Sequence, residues 1–222
     1  MKIILKVIIL LISGWGVWYF YDMRVNLYSQ YEVLGIEDGI LEYSQALFYV
    51  LAGIFAFVNS RLETKKYSAW FFLLITVGAF FIALEELSWG QRILNFETGE
   101  FFATNNFQSE VNIHNIHGTG ALIRFGYIAI GIIGSISWII KKLVKKRDFI
   151  FEILNNVPGW ELLVLFILPV FINILDRELL APQDYEVAEF FLSTGIMIWM
   201  LLQLVSYAQG SKSFARILPK NL

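Results

Sequence analysis

The sequence predicts an all-α polytopic membrane bundle of about six transmembrane helices with both termini cytoplasmic, and three observations predict it. Of 222 residues, 57% are hydrophobic and only 16% charged, where a soluble domain carries about a quarter charged. The apolar residues fall into six blocks, each approaching the ~20 residues needed to cross a hydrocarbon core. Between the blocks, basic and acidic segments alternate.

The first block, Ile3 to Phe20, follows Lys2 and contains Lys6, the start of a secretory signal pattern. No small-residue cleavage site follows it: the next residues are Tyr21, Asp22, Met23 and Arg24, and the first alanine is Ala46. An uncleaved first span is therefore expected. Further spans are expected over Leu41 to Val58, Ala69 to Leu87, Ala121 to Ile140, Trp160 to Leu179 and Val187 to Tyr207. Arg61, Lys65 and Lys66 follow the second span, and Lys141, Lys142, Lys145, Lys146 and Arg147 follow the fourth. The positive-inside rule makes those loops cytoplasmic. Lys2, Lys6, Lys212, Arg216 and Lys220 put both termini on the same side. The acidic segments then face outward, and the expected location is a bacterial inner membrane with the polar site towards the periplasm. Trp15, Trp18, Trp70, Trp89 and Trp160 fall near expected helix ends, where indole rings favour the membrane interface.

Residues 1–222 read as one integral membrane domain, with neither repeats nor a domain-separating linker. The longest stretch between spans, 90–118, carries Phe96, Phe101, Phe102 and Phe107 among polar residues. It is expected to be an outer-face loop or interfacial helix, surface-lying or dipping into the bundle. A net charge of −2 gives no sign of a nucleic-acid partner. The absence of cysteine excludes disulfides, thiol nucleophiles and iron–sulfur clusters, and two histidines leave any metal site dependent on carboxylates.

Glu110, His114 and His117 share one face if their segment is helical, at spacings of four and three residues. Imidazole and carboxylate together suit a divalent metal such as Zn or Fe, with a position left open for water. Glu85 and Glu86 end a long apolar run, where acids are costly unless paired, protonated, metal-bound or facing water. Glu85, Ser88 and Arg92 also share a helical face, so a local ion pair is open to them. Arg124 lies one heptad beyond His117, either aligned with it or separated by a break at Gly118 and Gly120. Asp38, Glu42 and Gln45 form a third face at the start of the second span. Asn173, Asp176 and Arg177 share a fourth face below Pro169, and Glu189 with Ser193 share a fifth. These polar groups fall at comparable outer depth.

Three segments carry a resemblance. Glu37-Asp38-Gly39, then Glu85 to Arg92, then Asn106 to Asn115 with Gln108, Glu110, Asn112 and His114 resemble signatures of bacterial multi-pass membrane proteins. The resemblance covers about the middle third of the chain and implies that these polar residues form the site. A looser, architectural similarity is to alkaline-ceramidase-like membrane metallohydrolases, which hold zinc through His and Asp near a Ser in a helical bundle. Those proteins use a third histidine and an H-x3-H pair in a late helix, whereas the last two spans here have no histidine.

The expected function is a membrane-embedded, metal-assisted hydrolase or transferase acting on a lipid or lipid-linked substrate at the outer leaflet. Glu110, His114 and His117 would bind the metal, with Glu86 or Asp38 as a further ligand. The metal would activate water. Glu85 would act as general base beside Glu86, while Arg92, Gln108 and Arg124 would hold the substrate headgroup. The alternatives are a small ion- or proton-coupled transporter and a non-catalytic membrane partner or assembly factor.

Overall fold

The computed structural model describes residues 3–36, 39–144, 149–175 and 179–210. Among them the protein is all-α, with no strand and only one isolated bridge, between Asn106 and Ile116. In hydrocarbon no water is present to satisfy peptide groups, so apolar runs of this length close their hydrogen bonds internally as helices. Five helices are long and apolar enough to cross a membrane: α1 (Ile3–Asn26), α3 (Ile40–Leu62), α4 (Lys66–Glu86), α7 (Gly120–Leu143) and α10 (Pro182–Gly210). Between them run the shorter α2 (Tyr28–Leu34), α5 (Gln91–Leu94), α6 (Glu100–Asn105), α8 (Phe149–Leu154) and α9 (Leu163–Ile174).

Within the expected fifth span, Trp160 to Leu179, the helical part is short. It is a single 3-10 turn, Trp160–Leu162, followed by the 12-residue α9. Pro169 lies inside α9, and the helix ends at Ile174, ahead of Leu175. This short helix still joins the two ends of the bundle. At its start Glu161 pairs with Lys6 at 2.9 Å; at its finish the Asn173 and Leu175 carbonyls accept hydrogen bonds from Arg124.

The packing centre is α3, clasped between α4 and α10. Ala46, Ala52 and Ala56 are buried along it, small residues that let neighbouring helices approach. Tyr49, Phe72, Phe166, Leu162, Leu192 and Met200 fill the interior. The buried Asn59 ties α3 to α10 by donating to the Met200 carbonyl at 2.9 Å. The second contact system is α7 on α9, where Gly131 lies against the Phe166 carbonyl and Val170. The outward faces are apolar, with Leu11, Ile12, Leu74, Val77 and Ile133 each more than 60% exposed. A water-facing monomer avoids so much contiguous hydrocarbon; the fold is that of a multi-pass integral membrane protein.

Glycine packing supplies a test. A Cβ on Gly131 would stand 2.6 Å from the Phe166 carbonyl, which belongs to rigid helix backbone, whereas one on Gly126 would meet nothing within 4 Å. Gly131→Ala is expected to cost about 1–3 kcal/mol by overpacking and to lower the thermal midpoint in detergent. Gly126→Ala should be neutral or slightly stabilising through helix propensity.

Candidate functional site

At the acidic end of the bundle, residues 87–119 fold back over the helix ends as a cap. Segment 90–118 contains α5, α6 and successive turns rather than one long interfacial helix. Phe96, Phe101 and Phe107 point outward, 42%, 60% and 72% exposed. The chain leaves α4 through three consecutive residues with left-handed backbone, Ser88 (φ 46), Trp89 (φ 54) and Gly90 (φ 82). Only the glycine adopts this region without penalty, and the other two cost of order 1–2 kcal/mol each. The reversal brings Ser88 Oγ to 2.5 Å from Glu110 and Trp89 Nε1 to 2.5 Å from Glu85.

Arg92 is the centre of the cap. Its Nη1 meets Glu42 of α3 at 3.0 Å, while Nε and Nη2 fork onto both oxygens of Glu110 at 3.0 and 2.6 Å. The expected local Glu85–Arg92 pair is therefore not formed. Glu85 instead accepts the backbone N–H groups of Ile113 and His114 at 2.7 and 3.0 Å. Asn106 donates to Asn112 at 2.7 Å, and Asn112 donates to Ser88 at 3.2 Å. Gln91 accepts from Val111 N–H, and Gln108 accepts from Asn115. Most polar residues of the Glu85–Arg92 and Asn106–Asn115 motifs are thus spent on one another.

This geometry does not form the helical face assumed for Glu110, His114 and His117. Residues 110–117 form turns instead of a helix, and Gly118 (φ 93) breaks the chain before α7, so neither the Glu110–His114–His117 face nor its extension to Arg124 exists. Glu110 is held by Arg92, and the His117 ring packs edge-on to Phe107, centroids 3.9 Å apart. Among the described residues no group of three His, Asp or Glu side chains could hold a metal ion. Asp38, proposed as a further ligand, lies outside the described residues, as do Glu37, Asp176 and Arg177. Arg124 donates to the Asn173 and Leu175 carbonyls, closing the end of α9.

Two groups of the cap face inward. Glu86 is 5% exposed and turned into the bundle. His114 Nδ1 is buried without a hydrogen bond, 3.5 Å from Glu85 Oε2. Below them Glu86 shares its electrostatic surroundings with His114, Glu186, Glu42 and Glu85. Glu189 of α10 has Glu186, Glu86, Glu42 and Tyr127 of α7 among its electrostatic neighbours. The Tyr49 hydroxyl is buried without a hydrogen-bond partner, and Glu86 and Glu189 act on it electrostatically. Gln45 donates to Glu186 at 3.1 Å, leaving its own oxygen unpaired. A cavity of ≈ 410 Å³ lies between α7, α9 and α10, lined by Arg124, Tyr127, Tyr185 and Glu189 among others. The Tyr185 hydroxyl is another buried group without a partner.

Sequence reasoning paired Glu189 with Ser193 and noted Gln45, but missed Glu186, Tyr49, Tyr127 and Tyr185. Spacings of three and four residues, Gln45–Tyr49, Arg124–Tyr127 and Glu186–Glu189, were the available signal. No known protein family, curated protein or solved structure matches the chain. Fold and site define a multi-pass α-helical membrane protein with a capped, carboxylate- and tyrosine-rich interior at one end.

Two outcomes test the cap. Arg92→Ala leaves Glu42 and Glu110, whose side chains are only 12% and 18% exposed, without their cation. A loss of about 3–5 kcal/mol is expected, read as a lower thermal midpoint and protease cleavage within 90–118. Arg92→Lys should recover only part, because an ammonium cannot reproduce the fork. The second concerns His114: burial opposes its cation, but Glu85, Glu86 and Glu42 outweigh that and raise its pKa. A raised folded pKa contributes stability that is complete below the ordinary value of about 6.5 and is lost as pH rises through the folded value. The thermal-midpoint gap between the parent and His114→Asn should therefore be wider in mildly acidic than in alkaline buffer.

Proposed function

We propose that the protein is a membrane-embedded hydrolase or transferase acting on a lipid or lipid-linked substrate at its acidic end. One observation carries this reading: Glu189 and Tyr127 line a cavity that opens beside Arg124, and the buried Glu86 is among the carboxylates that act electrostatically on Glu189. Two neighbouring carboxylates in different surroundings suit general acid and general base roles. One would take a proton from the attacking water or alcohol, and the other would give one to the leaving oxygen. The hydroxyls of Tyr49 and Tyr127 would donate to charge that develops on the reacting centre.

Arg124 has five N–H donors, and the two α9 carbonyls take two of them. The remainder suit a phosphate or carboxylate headgroup at the cavity mouth. Glu85 is better suited to positioning than to the base role, since N–H donors already engage its carboxylate. By the positive-inside rule the site faces the periplasm, with the outer leaflet supplying the substrate.

Transport is less well supported, because the polar interior does not continue along α3. From Tyr49 to Asn59, about 15 Å of helix, the buried positions are Ala52, Gly53 and Ala56. Protein in lipid nanodiscs should release soluble headgroups from phosphatidylethanolamine, phosphatidylglycerol or polyprenyl phosphate, detected by mass spectrometry. Glu86→Gln and Glu189→Gln should each lower that rate by about a hundredfold or more, with folding retained. No release from any substrate, together with glutamate-dependent proton flux in liposomes, would replace the enzyme reading by transport.

A further inference from the structure

The opposite end of the bundle carries a second cavity, of ≈ 400 Å³, where Lys6, Lys141 and Lys142 meet Trp138, Trp160 and Gln203. Its charge is unbalanced. Lys6 is paired with Glu161 at 2.9 Å, whereas neither Lys141 nor Lys142 meets a carboxylate among the described residues. Lys142 sits over the Trp138 ring at 5.1 Å, and Lys141 Nζ donates to the Asn155 carbonyl at 3.4 Å. The walls are fixed: Trp199 Nε1 and Gln203 Nε2 both donate to the Asn156 carbonyl, at 2.7 and 3.2 Å.

This basic cavity runs into a long apolar groove. Val157, Pro158 and Trp199 line both. The groove, of ≈ 520 Å³, lies where α7 turns to α9 while α4 packs on α3, and its walls include Leu74 and Gly78 of α4 and Ile133 and Ile140 of α7. Its one unsatisfied polar group near the lysines is Ser137. That residue is 2% exposed with Oγ unpartnered, and it lines the groove one helical turn, ~6 Å, before Lys141.

Cationic head pocket, isolated hydroxyl donor and hydrocarbon groove therefore follow one another along α7. A phosphate, an ester carbonyl and an acyl chain follow one another in the same order in a phospholipid. We infer that this end of the protein holds an anionic phospholipid of the adjacent leaflet, its phosphate between Lys141 and Lys142 and its acyl chain in the groove between α4 and α7. Basic pockets between membrane helices recognise anionic headgroups in this way, and tryptophan favours the same depth. The site shares no residue with the proposed catalytic cluster except that Tyr49 closes the far end of the groove, so either reading can fail alone.

Native mass spectrometry of the detergent-purified full chain tests it, with dioleoyl phosphatidylglycerol and dioleoyl phosphatidylcholine offered in competition. The parent should retain phosphatidylglycerol over phosphatidylcholine by about tenfold or more. Lys141→Gln/Lys142→Gln should abolish that preference. Lys141→Arg/Lys142→Arg should keep it, and so should Lys65→Gln/Lys66→Gln, which removes charge at the same end but outside the cavity. Ser137→Ala should weaken retention of both lipids without changing the preference. Equal retention by the parent, or preference persisting in the Lys141→Gln/Lys142→Gln variant, would overturn the proposal. So would displacement of phosphatidylglycerol by millimolar inorganic phosphate, which would assign the pocket to a soluble anion.

Discussion

The contact of Arg92 with Glu42 and Glu110 is the constraint on which the acidic end depends. It joins three sequence-distant segments: the start of α3, the turn after α4 and the return limb of the cap. Partly buried carboxylates at two of those places would repel each other and resist desolvation without the guanidinium between them. With it in place, the left-handed residues after α4 are held against their intrinsic preference, and the hydrogen bonds that the Ile113 and His114 backbone N–H groups donate to Glu85 close the remaining gap. Arginine suits this position because its fork serves two acids at once.

The cap separates two chemistries carried by adjacent residues. Glu85 and Glu86 share a helix end, but a rotation of about 100° per residue sends one carboxylate into the cap and the other into the bundle. The first is surrounded by N–H donors. The second faces acids from α3 and α10. A continuous polar path does not follow from there, because alanine and glycine on α3 seal the interior beneath Tyr49. What the acidic end does have is a side cavity between α7, α9 and α10, lined by Tyr127 and Glu189.

The membrane fold was legible because it follows from bulk hydrophobicity, which composition and block length report directly. Four of the five long helices include the expected blocks whole, and α4 falls short of its block only at Leu87. What failed was local. Trp160 to Leu179 was apolar enough to count as a span, but hydropathy cannot register where a backbone stops being helical, and this one stops after Ile174. The Glu110, His114 and His117 spacing implied a shared face only on the premise of a helix. A segment with Asn106, Asn112, Asn115 and Gly118 instead spends its side chains on turns and backbone groups. Glu85, Ser88, Gln91 and Arg92 all contact the Asn106–Asn115 segment. Their company is mainly architectural, and the inward-facing tyrosines escaped notice because a tyrosine in an apolar helix looks like ordinary core.

The shortness of α9 has its own effect on the surrounding lipid. With its 3-10 start it covers about 24 Å along its axis, against a hydrocarbon thickness of about 30 Å. Phe171 and Ile174 are exposed on its outer side, so bilayer touches this helix directly. Hydrophobic mismatch of that size is relieved by local thinning. Thinning beside α9 would bring the headgroup layer closer to Arg124 and the cavity mouth.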